Sequence, residues 1–396
     1  MNEHPISPNL TTQTNNRIFD ADRHVMEPPD MWRDYVSQHV YQQYPVRLQA
    51  RNIEDRNQLA PYSGLDVTQP LPPIYVIGDE PILANWSLPV QVASAAKGVR
   101  SARQRTDAMS PQGQLDSMNH DGIHQAALLP TFASYIVNHA DIPARVSLAY
   151  AGAYNRWIKD YCAINRHRLH PVGMISRHHP QNMVEQLEFL VAEGFRSIVL
   201  RPEVILDRSL AHADYHKFWQ ACCHHDVGVA FHGGTNLQGS TTGSERYQSR
   251  FALHACSHPM EAQMAFLSLL DGGVLHRNPS LRIALLEAGA SWVPAWLWRL
   301  DHICYPEFPA LVQDHMPQTP SAYFRRHVWV AIEPGEPGIR NVIDCIGSDK
   351  LLFGTDFPHP DHLDFDFSDV KRNYGDLSQE ELCALFDTNP NQFYRA

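Results

Sequence analysis

Short runs of apolar, largely β-branched residues recur along the chain, most of them followed by a turn and then by a stretch with helical spacing. Eight are legible: 17–22 (RIFDAD), 124–130 (HQAALLP), 170–176 (HPVGMIS), 197–202 (SIVLRP), 227–233 (VGVAFHG), 282–288 (RIALLEA), 328–334 (VWVAIEP) and 351–356 (LLFGTD). Such near-continuous runs suit strands buried on both faces, and their alternation with helices is the pattern of parallel β/α units. Residues 143–168, 182–194, 215–225 and 261–276 carry apolar positions three or four apart, as crossover helices require. The expected architecture is an α/β fold, a (β/α)8 TIM barrel. The rival, an open doubly wound sheet, would place GxGxxG or a GK[ST] phosphate loop after a strand, and neither occurs.

The 396 residues, 43% hydrophobic and 19% charged, suffice to bury one large core. We expect a single domain over 17–396, preceded by a flexible tail at 1–16. Residues 31–121 break the rhythm, being rich in Gln, Asn, Pro and Arg, and read as a long insertion after strand 1 that caps the barrel mouth. A net charge of −11 without a basic tract argues against nucleic acid as a partner. The apolar runs are too short for a bilayer span, and the polar start lacks a signal-peptide core, so no membrane partner and a cytoplasmic location are expected. Seven scattered cysteines with no CxxC pair suggest reduced thiols.

Polar residues at the C-terminal ends of barrel strands converge on one mouth. Strand 1 ends in Asp22-Arg23-His24, and residues two apart project to the same side. Strand 5 ends in Phe231-His232-Gly233-Gly234-Thr235, and strand 8 in Gly354-Thr355-Asp356. Each acid or histidine taken singly is more often structural. Together, Asp22, His24, His232 and Asp356 make a donor set that suits a borderline divalent cation.

The segments IFDADRHVMEPPDMW, AFHGGT, HPMEAQMAFLSLLDGGVLHRNPSLRIALLEAGASWVPAWLWRLD and IEPGEPGIRNVIDCIGSDKLLFGTDFPHPD resemble amidohydrolase family 2. More narrowly, they are similar to the branch that includes aminocarboxymuconate-semialdehyde decarboxylase and resorcylate-type decarboxylases. The similarity runs over about 17–394 and is weakest at 31–114. The resemblance implies a (β/α)8 barrel with one divalent metal per chain held by Asp22, His24, His232 and Asp356: zinc first, manganese or iron as alternatives. It also implies a small-molecule substrate and a homodimer. Decarboxylases of that branch carry a histidine at the end of strand 6 as proton carrier; here the strand ends in Glu287.

Glu287 reads either as the proton-transfer group or as a carboxylate that orders a loop. His258 is either a proton shuttle or a helix cap, and Arg201 either a fork for a substrate carboxylate or half of an internal salt bridge to one of the strand-end acids. Glu333, ending strand 7, invites the same two readings as Glu287, with support of a neighbouring group or a substrate contact favoured; His359 and Asp361 read as residues lining the mouth or as solvated loop residues. Trp292, Trp296 and Trp298, at helical spacing, read as packing; His178 and His179 as loop residues; His224 and His225 as a helix end. The expected function is a metal-dependent amidohydrolase-type enzyme (carboxy-lyase or hydrolase) acting on a small, carboxylate-bearing substrate. Asp356, Glu287 and His258 would be catalytic, and Arg201, Glu333 and His359 substrate-binding. The alternative is a barrel that binds a ligand without turnover, or hydrolyses without metal.

Overall fold

The computed structural model describes residues 17–50, 74–82, 99–234, 241–247, 250–307, 309–359 and 374–396. Residues 1–16, Asp361 and Thr235 lie outside the described residues.

All eight apolar runs form strands: β1 (Phe19–His24), β2 (Gln125–Leu129), β3 in two segments (Leu169–Pro171 and Gly173–Met174), β4 (Ser197–Leu200), β5 (Gly228–His232), β6 (Arg282–Leu286), β7 (Val328–Ile332) and β8 (Leu351–Phe353). Each pairs in parallel with the next, from β1 and β2 through to β7 and β8. Strands β1, β4, β5, β6, β7 and β8 are buried along their whole length, as the largely apolar β4 to β8 require and as the paired polar groups of β1 allow. Parallel pairing sends every strand's C-terminal end to one rim, which is where the polar strand-end residues sit.

The ring closes just beyond β8. Arg23 bridges Phe357 in parallel, the His24 amide donates to Phe357 O at 2.7 Å, and the Asp356 amide donates to Asp22 O at 2.8 Å. Inside the seam the fully buried Asp20 carboxylate accepts from the Thr355 amide (3.0 Å) and hydroxyl (2.6 Å), and pairs with Arg23 at 3.3 Å. Tyr394 adds a hydroxyl bond of 2.6 Å to Ala21 O. Satisfying these buried polar groups makes one side of the seam depend on the other.

The outer layer follows helical periodicity. The helix Ala144–Cys162 turns Val146, Tyr150, Ala151, Tyr154, Trp157, Ile158 and Tyr161 inward, a stripe at three- and four-residue spacing. Its start near Pro143 and end at Cys162 fall inside the range expected from sequence.

Within 31–121 the described residues form the helices Met31–Tyr35, Gln38–Gln43, Val99–Asp107 and Pro111–Asp121, with a small antiparallel sheet of Val46–Gln49, Ile74–Ile77 and Glu80–Pro81. This sheet packs beside β2: the Tyr75 ring stacks on Phe132 at 4.3 Å and His139 Nε2 donates to Pro81 O at 3.2 Å. No described helix is long and apolar enough to cross a membrane.

Candidate metal centre

Asp22 and His24 leave β1 on the same side, as strand alternation predicts, and meet His232 from β5 and Asp356 beyond β8. One donor atom from each of the four lies within 4.8 Å of the others. His24 Nδ1 is 2.9 Å from Pro130 O, and His232 Nδ1 is 2.8 Å from Gly233 O. A carbonyl oxygen only accepts, so each Nδ1 carries the proton and, in the neutral ring, each Nε2 presents a lone pair. These two Nε2 atoms face each other at 2.9 Å.

The carboxylates add to the same convergence. Asp22 Oδ1 lies 3.4 Å from His24 Nε2 and 3.6 Å from His232 Nε2, is buried, and accepts no hydrogen bond. Asp356 Oδ1 lies 3.3 Å from His24 Nε2. Four acceptors gathered in a buried space, one of them an orphaned carboxylate oxygen, are costly unless a cation sits among them. Two imidazoles and two carboxylates suit a borderline divalent ion, so the residues fit the metal that sequence reasoning assigned to them.

Electrostatics follow from the burial. The His232 ring is pushed down to about 3, first by burial and then by the neighbouring His24, His258 and Arg201, and stays neutral as a ligand must. Burial also disfavours a charged His24, but Asp22 and Glu287 outweigh it and raise that ring. Burial opposes ionisation of Asp22, yet His232 and His24 hold its carboxyl below the usual range.

Two of the strand-end carboxylates adopt the left-handed backbone region that disfavours side chains: Glu287 has φ 47° and Asp356 φ 53°. Such strain persists where surrounding contacts over-determine the conformation. Here Trp292 Nε1 donates to Ala288 O (3.1 Å) and Gly289 O (2.9 Å), while the Glu336 carboxylate accepts from the Ala290 and Ser291 amides at 2.8 and 2.7 Å. Trp292, expected only to pack, therefore also holds the turn that carries Glu287. Trp298 is 59% exposed.

Glu287 Oε2 stands 3.1 Å from His232 Nε2 and 2.9 Å from His258 Nδ1. His258 occupies the N-cap position of the helix Pro259–Asp271, but its side chain makes no cap bond and turns to Glu287 instead. β6 itself is followed by Glu287, and His258 is brought against that carboxylate from the start of the helix preceding the strand. A cavity of about 240 Å³ opens over this pair, with Asp22, His254, Glu287, Glu333 and Asp356 among its walls. Glu333 lies exposed on its rim.

Other expected contacts are placed differently. Arg201 is buried, and its guanidinium grips Glu203 in a two-point pair of 3.1 and 2.6 Å and also donates to Gly234 O at 3.0 Å. Its fork is thereby spent internally, on a carboxylate two residues on rather than on a strand-end acid. His359 Nδ1 lies 2.6 Å from Asp356 Oδ1, Nε2 lies 2.9 Å from Thr131 Oγ1, and the ring meets that of His24 at 4.1 Å with a tilt of 33°. It braces the donor cluster and does not line the cavity. None of the cavity walls comes from the described part of 31–121. His178 is buried and its Nε2 donates to His139 O at 2.9 Å.

His254 is the wall residue that sequence reading passed over. Its ring meets that of His258 edge-on at 5.1 Å. The four-residue spacing was the available signal, since it puts two side chains on one helical face.

A sheet closed by β1 and β8, with two acids and two imidazoles converging at its C-terminal rim, defines a (β/α)8 barrel with a candidate metal site. The amidohydrolase family profile matches residues 20–396, and the chain belongs to that family. An amidohydrolase from Mycobacterium avium subsp. paratuberculosis superposes with a TM-score of 0.72 at 20% identity, covering 96% of this chain and 100% of that one. A 5-carboxyvanillate decarboxylase from Novosphingobium aromaticivorans, solved with manganese and 4-hydroxy-3-methoxy-5-nitrobenzoic acid, gives a TM-score of 0.69 at 15% identity, covering 99% and 100%. In sequence, a 2-amino-3-carboxymuconate-6-semialdehyde decarboxylase from Dictyostelium discoideum is 30% identical over 105 residues, 26% of this chain; the chain spans only 28% of that relative.

Proposed function

We propose that the chain is a metal-dependent enzyme that removes carbon dioxide, without oxidation, from a small carboxylate-bearing substrate. The observation that carries this reading is the Glu287–His258 contact, 2.9 Å long, on a cavity wall beside the four-donor cluster. Asp22, His24, His232 and Asp356 would hold the ion. Manganese, present in the solved 5-carboxyvanillate decarboxylase, and zinc both suit these donors. A bound divalent ion supplies Lewis acidity to a substrate oxygen or lowers the pKa of a water.

The chain's own residues do the rest. Decarboxylation requires one proton at the carbon that loses its carboxylate, and His258 with Glu287 forms a path for it from the cavity. The cavity walls include no lysine or arginine among the described residues, and Arg201 is engaged by Glu203. A substrate carboxylate is therefore met on the donor-cluster side. The volume of about 240 Å³ suits a single ring with a few substituents, such as a carboxylated phenol.

Hydrolysis is the second reading, favoured by Asp356, whose Oδ1 touches both His24 and His359 and is placed to take a proton from water. Reaction in oxygen-18 water separates the two. Carbon dioxide release with unlabelled product supports decarboxylation; label in the product supports hydrolysis. Turnover that persists with no metal in the protein overturns both.

A further inference from the structure

Glu27 lies three residues beyond His24, outside the donor cluster, and is fully buried. Its carboxylate accepts from three successive backbone amides: Oε1 from Thr131 at 3.1 Å and Ala133 at 3.2 Å, Oε2 from Phe132 at 2.8 Å. These amides open the helix Phe132–Val137 after β2. First-turn amides have no intrahelical acceptor, so a carboxylate there fixes the local backbone. From outside, Tyr75 stacks on Phe132 and its hydroxyl donates to Glu27 O at 3.3 Å.

The turn that Glu27 fixes carries two contacts to the metal centre. Pro130 O takes the Nδ1 proton of His24 at 2.9 Å, which commits the opposite nitrogen to the cluster. Thr131 Oγ1 holds His359 Nε2 at 2.9 Å, and His359 in turn holds Asp356 Oδ1 at 2.6 Å. His359 Nδ1 faces a carboxylate and carries the proton, so its Nε2 accepts from the threonine hydroxyl. Two of the four donors thus reach back, through separate links, to one turn and one buried acid.

We propose that Glu27 is a positioning residue of the metal centre: by fixing the turn at 130–133 it sets the tautomer and orientation of His24 and holds His359 against Asp356. The inference deepens the metal-centre reading and rests on it for its consequence, while its geometric part is testable on metal-free protein. A carboxylate that served only the fold would alter stability and leave these ring nitrogens unchanged.

The test uses the full chain with nitrogen-15-labelled histidine, stripped of metal, and compares Glu27→Gln with the parent. The amide of glutamine turns a donor toward a backbone N–H where a carboxylate oxygen accepted. We expect the folded variant to shift the ring nitrogen signals of His24 and His359, and to bind Mn2+ about 10- to 100-fold more weakly. Glu27→Asp, which keeps the charge, restores part of both. A folded Gln variant with both signals and the Mn2+ affinity within twofold of the parent overturns the proposal. Should Glu27→Gln not fold, Glu27→Asp is read alone, and unmoved His24 and His359 signals there overturn it equally. If the signals move while even the parent takes up no Mn2+, the metal reading fails and the positioning role stands.

Discussion

His24 and His232 point their Nε2 atoms at each other across 2.9 Å, each with its Nδ1 proton committed to a carbonyl. In the neutral rings two lone pairs held that close repel, and a cation between them would remove that repulsion. Chelation is therefore expected to lower the thermal midpoint and Mn2+ or Zn2+ to restore it. Ion at a thousandfold excess over Kd adds about 4 kcal/mol to stability. Calorimetry with and without chelator reads this, and elemental analysis of an Asp356→Asn, His232→Ala double variant should find the stoichiometric metal lost. Equal metal in parent and double variant would count against the centre.

Glu287 touches the cluster through His232 and the cavity through His258. Glu287→Gln should retain metal and lose about 10²- to 10⁴-fold in kcat, the usual worth of a proton-transfer group. Steady-state rates paired with metal content check this, and a variant with intact metal and near-normal kcat removes Glu287 from the chemistry.

Arg201 and Glu203 form a buried two-point pair. Arg201→Ala strands the carboxylate and should destabilise the fold by about 3–5 kcal/mol. The expected signature is a lower denaturation midpoint. A variant of parental stability with only a raised KM would instead make Arg201 the substrate's anchor.

Gly354 follows β8 where a Cβ would lie 2.5 Å from Asp22 Cβ. Gly354→Ala forces the seam apart at Asp22, one of the four proposed donors, so Mn2+ affinity should fall by roughly tenfold or more while much of the outer helical layer keeps its circular dichroism. Titration with Mn2+ gives the number.

His327 sits at the far end of the barrel, fully buried, with Nδ1 bonded to Leu281 O at 2.8 Å. Burial pushes its ring down to about 4, aided by Arg326 and Lys350. A lowered folded pKa means the unfolded chain binds the proton first, so this contribution is present above pH 6.5 and lost as pH falls through 4. The loss is on the order of 3 kcal/mol. His327→Gln should flatten that part of the stability profile, followed by urea midpoints between pH 4 and 7.5.

Most of the eight strands were legible because their runs are apolar on both faces, a pattern local to the run. Donor residues were legible for a related reason: Asp22, His24, His232 and Asp356 each interrupt such a run at its C-terminal end, where parallel topology alone dictates convergence. What sequence hid depends on tertiary neighbours. Nothing in LRP announces that Arg201 bends back to Glu203, and nothing in MEPP ties Glu27 to amides more than a hundred residues away. His258 was ambiguous between cap and shuttle until the direction of its side chain was known. The break of β3 around Val172 carries no strong local signal, since HPVGMIS reads as one run.

The seam between β1 and Asp356 has a consequence for biosynthesis. Asp20 waits for Thr355 and Asp22 for Asp356, partners hundreds of codons downstream, so the four clustered side chains cannot come together until a ribosome has passed Asp356. Nascent chains stalled upstream of Asp356 carry His24 and His232 without the closing acid.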